Sequence, residues 1–491
     1  MIKLIFSLSS LSFIGYSIGF VNQIIIANKF GTSTELDIYL LAFSVVNFGW
    51  FFIGPINEIS IPNLFQQTKK SKESGSIYFS KILNIILLFS VIMSIVIYLF
   101  LPDIYIYISS DKNINYSEFK ENILLLMPII FLTAITQYFQ VVLNSMSKYI
   151  AQSIGKIVTA SISVCFLLLY FDNFGIKAII YGLEIGLIIL TILQFYFIYK
   201  LNISYKPVGG IITEKTYYKH VLALSFTYFL SSLQVIYERF VFISFGDGVL
   251  SSYNYSQALL QVPQMIVVTG IVTIVWTNFM KKIHDNDINE GIDELFSIAL
   301  NAFIIALYIS ITISIFSKEI VFVIFKSGEF NTKSLEMTSQ ILQISIFLLP
   351  LMIFINIIGR SFTALKEIRI MLRINFLMFI LLMIALYAGY LFSSIKLILI
   401  FQIIVYLFIL FISIFFLKQL YEESNMMKVN FSKLIFTIFL LCLIFLFFQY
   451  FQDLYNEIES KIYLILLIAI CMIIAIFTSL FNIKYIQGNS K

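Results

Sequence analysis

Long apolar blocks, separated by short polar stretches, run through this sequence from end to end. Each block is long enough to cross the roughly 30 Å hydrocarbon layer of a bilayer as a helix. Backbone groups in lipid must be hydrogen-bonded within their own segment, so helices are predicted. The predicted spans, helices 1 to 14, are Leu4–Asn28, Ile38–Phe65, Ile77–Leu101, Glu121–Met146, Ile150–Phe171, Ile176–Tyr199, Val221–Phe245, Ser251–Met280, Ile292–Phe316, Leu335–Phe362, Ile374–Leu391, Ile395–Leu417, Leu434–Phe451 and Ile462–Phe481.

The positive charges between the blocks test this count, because Lys and Arg concentrate in cytoplasmic loops. With a cytoplasmic amino terminus, 22 of the 32 Lys and Arg residues fall on the cytoplasmic side and ten on the other. One missed helix would place every later positively charged loop on the wrong side of the membrane. The pattern predicts an all-α integral membrane protein of about fourteen transmembrane helices, with both termini cytoplasmic.

Composition excludes several other classes of protein. Of the 491 residues, 60% are hydrophobic and 12% charged, whereas soluble domains carry roughly 25% charged residues. The net charge of +5 does not indicate nucleic acid, because the lysines lie in short loops. Cys165, Cys442 and Cys471 fall inside apolar blocks and are interpreted as free thiols. His220 and His284 are far apart in sequence, which argues against a metal site.

The loops also argue against an enzyme. None exceeds about 20 residues, and the sequence contains no nucleotide-binding Gly-rich loop, His-Glu-x-x-His motif or Ser/His/Asp set. A membrane-bound glycosyltransferase, polymerase or ligase usually builds its catalytic site from a larger extramembrane loop. We therefore expect a transporter that uses no cofactor.

A faint internal repeat supports this interpretation. Helix 1 ends in Phe30-Gly31 and helix 7 in Phe245-Gly246, an offset of about 215 residues that spans six helices. An even number of helices gives two halves of the same orientation, as in many secondary transporters with a cavity between the halves. Chance matching in a Phe-rich chain is the rival explanation.

Ionisable residues inside predicted spans are costly and usually face a cavity or a partner. Glu58 lies in helix 2, where Gly54, Pro55 and Pro62 are expected to interrupt the helix and free backbone groups for a hydrated cavity. Glu58 is predicted to be part of a cavity wall or a proton or cation site. The alternative is a carboxylate that reaches the cytoplasmic surface.

Other polar residues in the spans leave alternatives open. Glu238 and Arg239 precede the outer end of helix 7, and Arg239 would bind an anionic group or form an interhelical bridge. Glu184 lies between glycines whose spacing indicates close helix packing. Arg360 is interpreted as part of the cytoplasmic positive cluster. Further residues that line a cavity or bond between helices are Asn22, Gln23, Gln194, Gln257 and Gln261.

Short blocks of residues along the chain carry a family resemblance. Helices 1 and 2 contain Gly19-Phe20-Val21-Asn22-Gln23-Ile24, Ala27, Phe30-Gly31, Asp37, Ala42-Phe43, Gly54 and Ile61-Pro62. Later blocks are Gly186 and Gln194, then Tyr255, Leu259, Gln261, Pro263 and Thr273, then Phe325, Gly328, Phe330, Thr338, Leu342, Pro350, Phe362 and Ala364. In this order they resemble the MurJ/MviN lipid II flippases, of the multidrug/oligosaccharidyl-lipid/polysaccharide exporter superfamily.

The resemblance implies two six-helix lobes and two C-terminal helices. The lobes would be residues 1–205 and 206–425, and residues 426–491 would form a groove for a lipid tail and a cytoplasmic tail. It also implies alternating access that moves an undecaprenyl-diphosphate-linked saccharide outward across the bacterial inner membrane.

Several positions depart from the family's pattern. Its Arg-Asp pair in helix 1 reads Asn22-Gln23 here, and its Arg-Arg before the helix 2 break reads Phe48-Gly49. The Glu-Gly that follows reads Ile53-Gly54, and the Asp-Arg of helix 8 reads Gln257-Ala258. Those arginines would neutralise a diphosphate in a low-dielectric cavity. Either Arg239 and helix termini do so here, or the cargo is not lipid II.

The sequence thus predicts a flippase for a polyprenyl-diphosphate-linked saccharide, either lipid II or a surface-polysaccharide repeat unit. Membrane lipid and a monovalent cation are the other expected partners, with Glu58 and Glu238 as candidates for ion coupling. The alternatives are a cation-coupled multidrug exporter and a non-transporting scaffold of the same fold. The predicted cavity residues are Asn22, Gln23, Asn57, Glu58, Glu238, Arg239 and Gln257.

Overall fold

A computed structural model describes residues 2–109, 115–207, 215–284, 287–365 and 367–420, with Ile470, Cys471, Ile473 and Ile474. All regular secondary structure in this part of the chain is helical. Its helices are α1 (Ile2–Phe30), α2 (Thr34–Phe48), α3 (Ile53–Lys70), α4 (Lys72–Ser109), α5 (Tyr116–Ser145), α6 (Tyr149–Phe174), α7 (Lys177–Lys200), α8 (Lys215–Ser244), α9 (Val249–His284), α10 (Ile288–Ile315), α11 (Ser317–Phe325), α12 (Thr332–Ser345), α13 (Leu348–Ala364), α14 (Ile368–Leu391) and α15 (Ile395–Leu420).

Predicted helices 1 to 12 each coincide with one long helix or with a bent pair of helices, so the all-α prediction is confirmed. Helices 2 and 10 are the bent pairs α2–α3 and α12–α13, each with a bend of 43°. Among the described residues, seven helices are long and apolar enough to cross a membrane, or nine if each bent pair is one span. Predicted helices 13 and 14 lie outside the described residues, apart from the four positions near 470. The short helix α11 falls in a stretch that the sequence assigned to a loop.

The chain divides into two compact units, Met1–Ser251 and Ser252–Lys491. In the first unit, α5 packs against α2, α3, α4 and α7 and buries a face that runs through Ile123, Ile130 and Tyr138. The α6–α7 pair packs closely: a Cβ on Gly182 would lie 3.2 Å from Ser163 Cα. This contact accounts for the glycine spacing around Glu184, since small residues let two helix backbones approach.

The bend between α2 and α3 is a tight turn held by short-range backbone hydrogen bonds. Residues 49, 50, 51 and 53 each donate to the carbonyl three residues earlier, at 3.0 to 3.3 Å. The sequence placed the interruption at Gly54, Pro55 and Pro62, and this was wrong. The helix breaks before Gly54 and then continues through residue 62. Pro55 lies in the first turn of α3, where a missing N–H costs nothing because that donor has no partner within the helix.

The second unit is held by packed rings and close helix contacts. Tyr255 of α9 packs on Phe325 of α11 and on Phe330, with ring centroids 5.2 and 5.7 Å away. The Ser256 and Ser345 hydroxyls are 2.9 Å apart and join α9 to α12. These contacts explain why α11 folds onto α9 instead of remaining a loop.

The α14–α15 hairpin depends on Gly389. A Cβ at this position would lie 2.2 Å from Ile398 Cγ1 and 3.0 Å from Ile398 Cα. We expect Gly389→Ala to destabilise the chain by about 2 kcal/mol, because the backbone of α15 must move to admit the methyl group. The readout is the thermal midpoint of the purified protein in detergent. Gly359→Ala is the matched control, since nothing lies within 4 Å of a Cβ there, and an unchanged midpoint for Gly389→Ala would contradict this account.

Candidate functional site

A buried carboxylate of the first unit, that of Asp37, lies near the start of α2. Its side chain is 1% exposed and accepts 2.7 Å hydrogen bonds from the backbone N–H groups of Gly248 and Ser251. The Ser251 hydroxyl donates a further short bond to it. Because Gly248 and Ser251 lie at the amino end of α9, a negative charge meets unpaired helix N–H groups and the positive end of the helix dipole. We call this arrangement the Asp37 clasp.

Only glycine fits at position 248 of the clasp. Gly248 has φ +82°, a region that L side chains rarely adopt, and a Cβ there would lie 2.5 Å from the Thr32 carbonyl oxygen. Gly31 and Gly246, which follow the first helix of each half of the predicted repeat, also have positive φ values of 55° and 129°. The two loops that the sequence paired as repeats therefore contact each other through Thr32 and Gly248.

A second contact joins α3 to α8 one turn beyond the bend. The Tyr228 ring lies against Gly54, where a Cβ would lie 2.6 Å from Tyr228 Cε1. The Tyr228 hydroxyl donates a 2.7 Å hydrogen bond to Glu58 Oε1. Glycine at position 54 is required sterically, because any side chain would displace the ring and with it the hydroxyl that reaches Glu58.

Three aromatic rings surround the bend. Phe48 at the end of α2, Phe51 in the turn and Phe229 of α8 have all three pairwise centroid distances at 5.5 Å. Phe51 also contacts Phe52, which stacks on Phe89 of α4 at 5.1 Å. The position where the resembling family carries arginine is thus occupied by a half-buried aromatic cluster.

The structure separates several of the predicted cavity residues. Asn22 of α1 donates to Ser163 of α6 at 3.5 Å, and Gln23 beside it is half-buried. Glu238 and Arg239 are half-buried on α8, about 15 Å along the helix axis from Tyr228. The Glu58 contact and the Glu238–Arg239 pair therefore lie at different depths.

The remaining predicted residues differ in burial. Asn57 is 9% exposed, and its Oδ1 accepts no hydrogen bond from the residues that the structure describes. Gln257, half-buried on α9 of the second unit, likewise has a buried Nε2 without a partner in the described chain. Glu58 is exposed. The described residues contain no group of three or more His, Cys, Asp or Glu that could hold a metal ion.

Polar residues outside the predicted cavity set also differ. Gln194 is 1% exposed and, within the described chain, neither its oxygen nor its nitrogen has a hydrogen-bond partner. Glu184 is half-buried, with an Oε1 that is unpartnered in the same part of the chain. Arg360 and Gln261 are exposed. Gln194 is thus the side chain of this group with the strongest unmet demand for a polar partner.

Sequence reasoning missed two residues of the site. In the sequence, Asp37 was noted only among the residues that carry the family resemblance. A carboxylate in the first turn of a predicted helix, together with the glycine-rich loop Gly246-Asp247-Gly248, could have indicated a buried contact. Tyr228 carried no signal, because its contact with Gly54 joins residues of two helices that are 174 positions apart. Its role becomes visible only when α3 and α8 are seen to pack.

Long apolar helices, a broken second span and a buried clasp between two loops define a polytopic membrane transporter. The sequence profile described as "Lipid II flippase MurJ" matches residues 26–468. The chain belongs to the lipid II flippase MurJ family, and is accordingly a multi-pass membrane transporter rather than an enzyme.

Relatives and solved structures agree with this assignment. The probable lipid II flippase MurJ of Buchnera aphidicola subsp. Acyrthosiphon pisum (strain APS) is 25% identical over 387 residues, 75% of this chain and 74% of that protein. The probable lipid II flippase MurJ of Rickettsia prowazekii (strain Madrid E) is also 25% identical, over 386 residues, 75% of this chain and 74% of that protein.

Among solved structures, a lipid II flippase MurJ in an inward closed conformation aligns with a TM-score of 0.79 and 18% identity, covering 99% of each chain. An inward-facing multidrug resistance transporter of the MATE family aligns with a TM-score of 0.64 and 13% identity, over 84% of this chain and 96% of that one. At these identities the likeness shows a shared fold.

Removal of the Asp37 carboxylate should strongly destabilise the protein. Asp37→Ala leaves two backbone N–H groups and one hydroxyl without their acceptor, and we expect a loss of about 3 kcal/mol. A fall in the thermal midpoint in detergent would report it. Asp247→Ala is the matched control, because this neighbouring carboxylate is exposed; equal midpoints for the two variants would contradict the clasp.

Proposed function

We propose that the chain moves a polyprenyl-diphosphate-linked saccharide from the cytoplasmic to the outer face of the membrane by alternating access. The match of residues 26–468 to the lipid II flippase MurJ profile carries this proposal. The Buchnera and Rickettsia relatives are named for the same cargo. The cargo here is lipid II or a surface-polysaccharide repeat unit. Membrane lipid is the other partner.

The Asp37 clasp is proposed as the closure on the outer side. With a cytoplasmic amino terminus, α1 ends at the outer face, and Asp37 follows it by seven residues. Backbone N–H groups form part of the clasp, so its opening would require other partners, such as water, for both Asp37 and the first turn of α9. Water is present at the outer face, which makes that end a suitable place for a reversible closure.

Charge compensation must differ from the family's pattern. Positions 22, 23, 48, 49 and 258 carry no positive charge, so Arg239 and helix amino termini remain the proposed contacts for the diphosphate. Glu58 and Glu238 are the proposed sites for coupling to a monovalent cation. Residues 1–205 and 206–425 are proposed as the two lobes, and residues 426–491 as the groove for the lipid tail and the cytoplasmic tail.

Complementation tests the cargo. A bacterium depleted of its own MurJ should grow when it expresses this chain, if the cargo is lipid II, and should lyse when it expresses the Asp37→Ala variant at a matched level. Failure of the wild-type chain, together with loss of capsule or O-antigen on deletion in the native host, assigns the polysaccharide repeat unit. Failure of both assays, with increased sensitivity to cationic dyes on deletion, would overturn the flippase proposal in favour of drug export.

Thiol labelling tests the proposed orientation. In a background where Cys165, Cys442 and Cys471 are replaced by alanine, Asp247→Cys should react with a membrane-impermeant maleimide on intact cells. Ser71→Cys, in the exposed turn between α3 and α4, should react only after permeabilisation. The reverse labelling pattern would contradict cytoplasmic termini.

A further inference from the structure

The rings at the bend form, together with the Glu58–Tyr228 pair, one continuous surface of α2, α3 and α8. We define it as the elbow patch: Phe48, Phe51, Phe229, Tyr228 and Glu58. The three phenylalanine rings are half-buried, and Tyr228 is 38% exposed. Phe229 packs on Phe51, while Tyr228 lies against Gly54 three residues further along and bonds to Glu58. The aromatic cluster and the carboxylate contact therefore adjoin at the start of α3. We propose that the elbow patch binds the saccharide group of the cargo, an inference that rests on the proposed flippase function.

The elbow patch borders a hydrated space. Glu58 lies within Ile53–Ile61, the second part of a bent span, about 16 Å along α3 from Lys69 at its cytoplasmic end. Its side chain is exposed, and the described residues offer it the Tyr228 hydroxyl but no cation within ion-pair distance. A carboxylate at this depth would be severely penalised if it faced hydrocarbon, and such residues face cavities.

The chemistry of the patch fits a sugar better than a phosphate or a lipid tail. Phe48 and Gly49 bring no positive charge, and none of the cation–π contacts of the described chain involves the three rings. A diphosphate would therefore lack a counter-charge here. An apolar tail would offer Glu58 no polar partner besides the Tyr228 hydroxyl. A sugar ring presents C–H groups to aromatic faces and hydroxyl groups to a carboxylate, so it satisfies both.

Unmet hydrogen bonds beside the rings support a polar occupant. Asn47 Oδ1, Trp50 Nε1 and Thr227 Oγ1 are buried and have no partner among the described residues. Each lies one or two residues from a patch phenylalanine in sequence. Buried polar atoms are rarely left unpaired in native proteins. A hydroxyl-rich ligand, or water that it orders, would supply partners at the edge of the patch.

Trp50 provides a fluorescent reporter next to the patch. The chain contains two tryptophans, Trp50 and Trp276, so Trp276→Phe leaves Trp50 alone. The full chain in lipid nanodiscs is titrated with undecaprenyl diphosphate, undecaprenyl-diphosphate-linked N-acetylglucosamine and lipid II.

In the Phe51→Leu/Phe229→Leu variant, which keeps apolar volume but removes two aromatic faces, Kd for the better-bound sugar-bearing lipid should rise about tenfold. Kd for undecaprenyl diphosphate should stay within about twofold.

Two further variants keep the test decisive. Glu58→Gln alters one exposed side chain without changing its size. It should raise Kd for the same sugar-bearing lipid about fivefold and leave Kd for undecaprenyl diphosphate unchanged. Phe408→Leu removes an exposed ring of α15 outside the patch and should leave every Kd unchanged. Equal losses for lipids with and without sugar, or no loss in either patch variant, would overturn the saccharide assignment alone. If the wild-type chain binds none of the three lipids, the proposed function fails as well.

Discussion

Every polar group inside the bilayer needs a partner within the protein or in a water-filled space, and the rest of this structure depends on that constraint. It makes the spans helical and accounts for the short-range backbone hydrogen bonds of residues 49, 50, 51 and 53 at the bend after α2. It also places the Asp37 carboxylate against the free N–H groups of α9. The same constraint gives the exposed Glu58 its significance, because a carboxylate that hydrocarbon cannot solvate is expected to face a hydrated cavity.

The fold could be predicted because the features that define it, apolar block length and loop charge, can be read directly along the sequence. Block length and loop charge locate helices without any knowledge of their partners, and the described part of the chain agrees for helices 1 to 12. The position of the bend was harder. Proline and glycine suggested a break at residues 54 to 62, but proline in a first turn is compatible with a helix. The turn at residues 49 to 52 has one glycine and three large side chains, which give no conventional turn signal.

The candidate site was less predictable, because its contacts join residues far apart in sequence. Glu58 was identifiable as a costly charge in an apolar span, yet its partner Tyr228 was not. The loss of arginine at position 48 was evident from the resemblance, but the aromatic cluster that replaces it required Phe229 of α8 to be located. A polar residue in an apolar segment can be recognised from the sequence as a candidate site residue, whereas its partner can be identified only from the structure.

The tight turn between α2 and α3 has a mechanical consequence. Its i to i+3 bonds wind the backbone at about three residues per turn, against 3.6 in an α-helix. Each residue converted from the tighter to the looser winding would turn everything after it by about 20° around the axis. Straightening this short segment would therefore swing the Glu58 face of α3 through a large arc with little sliding of the helix. A local exchange of hydrogen bonds at the bend would therefore rotate the whole following helix about its axis.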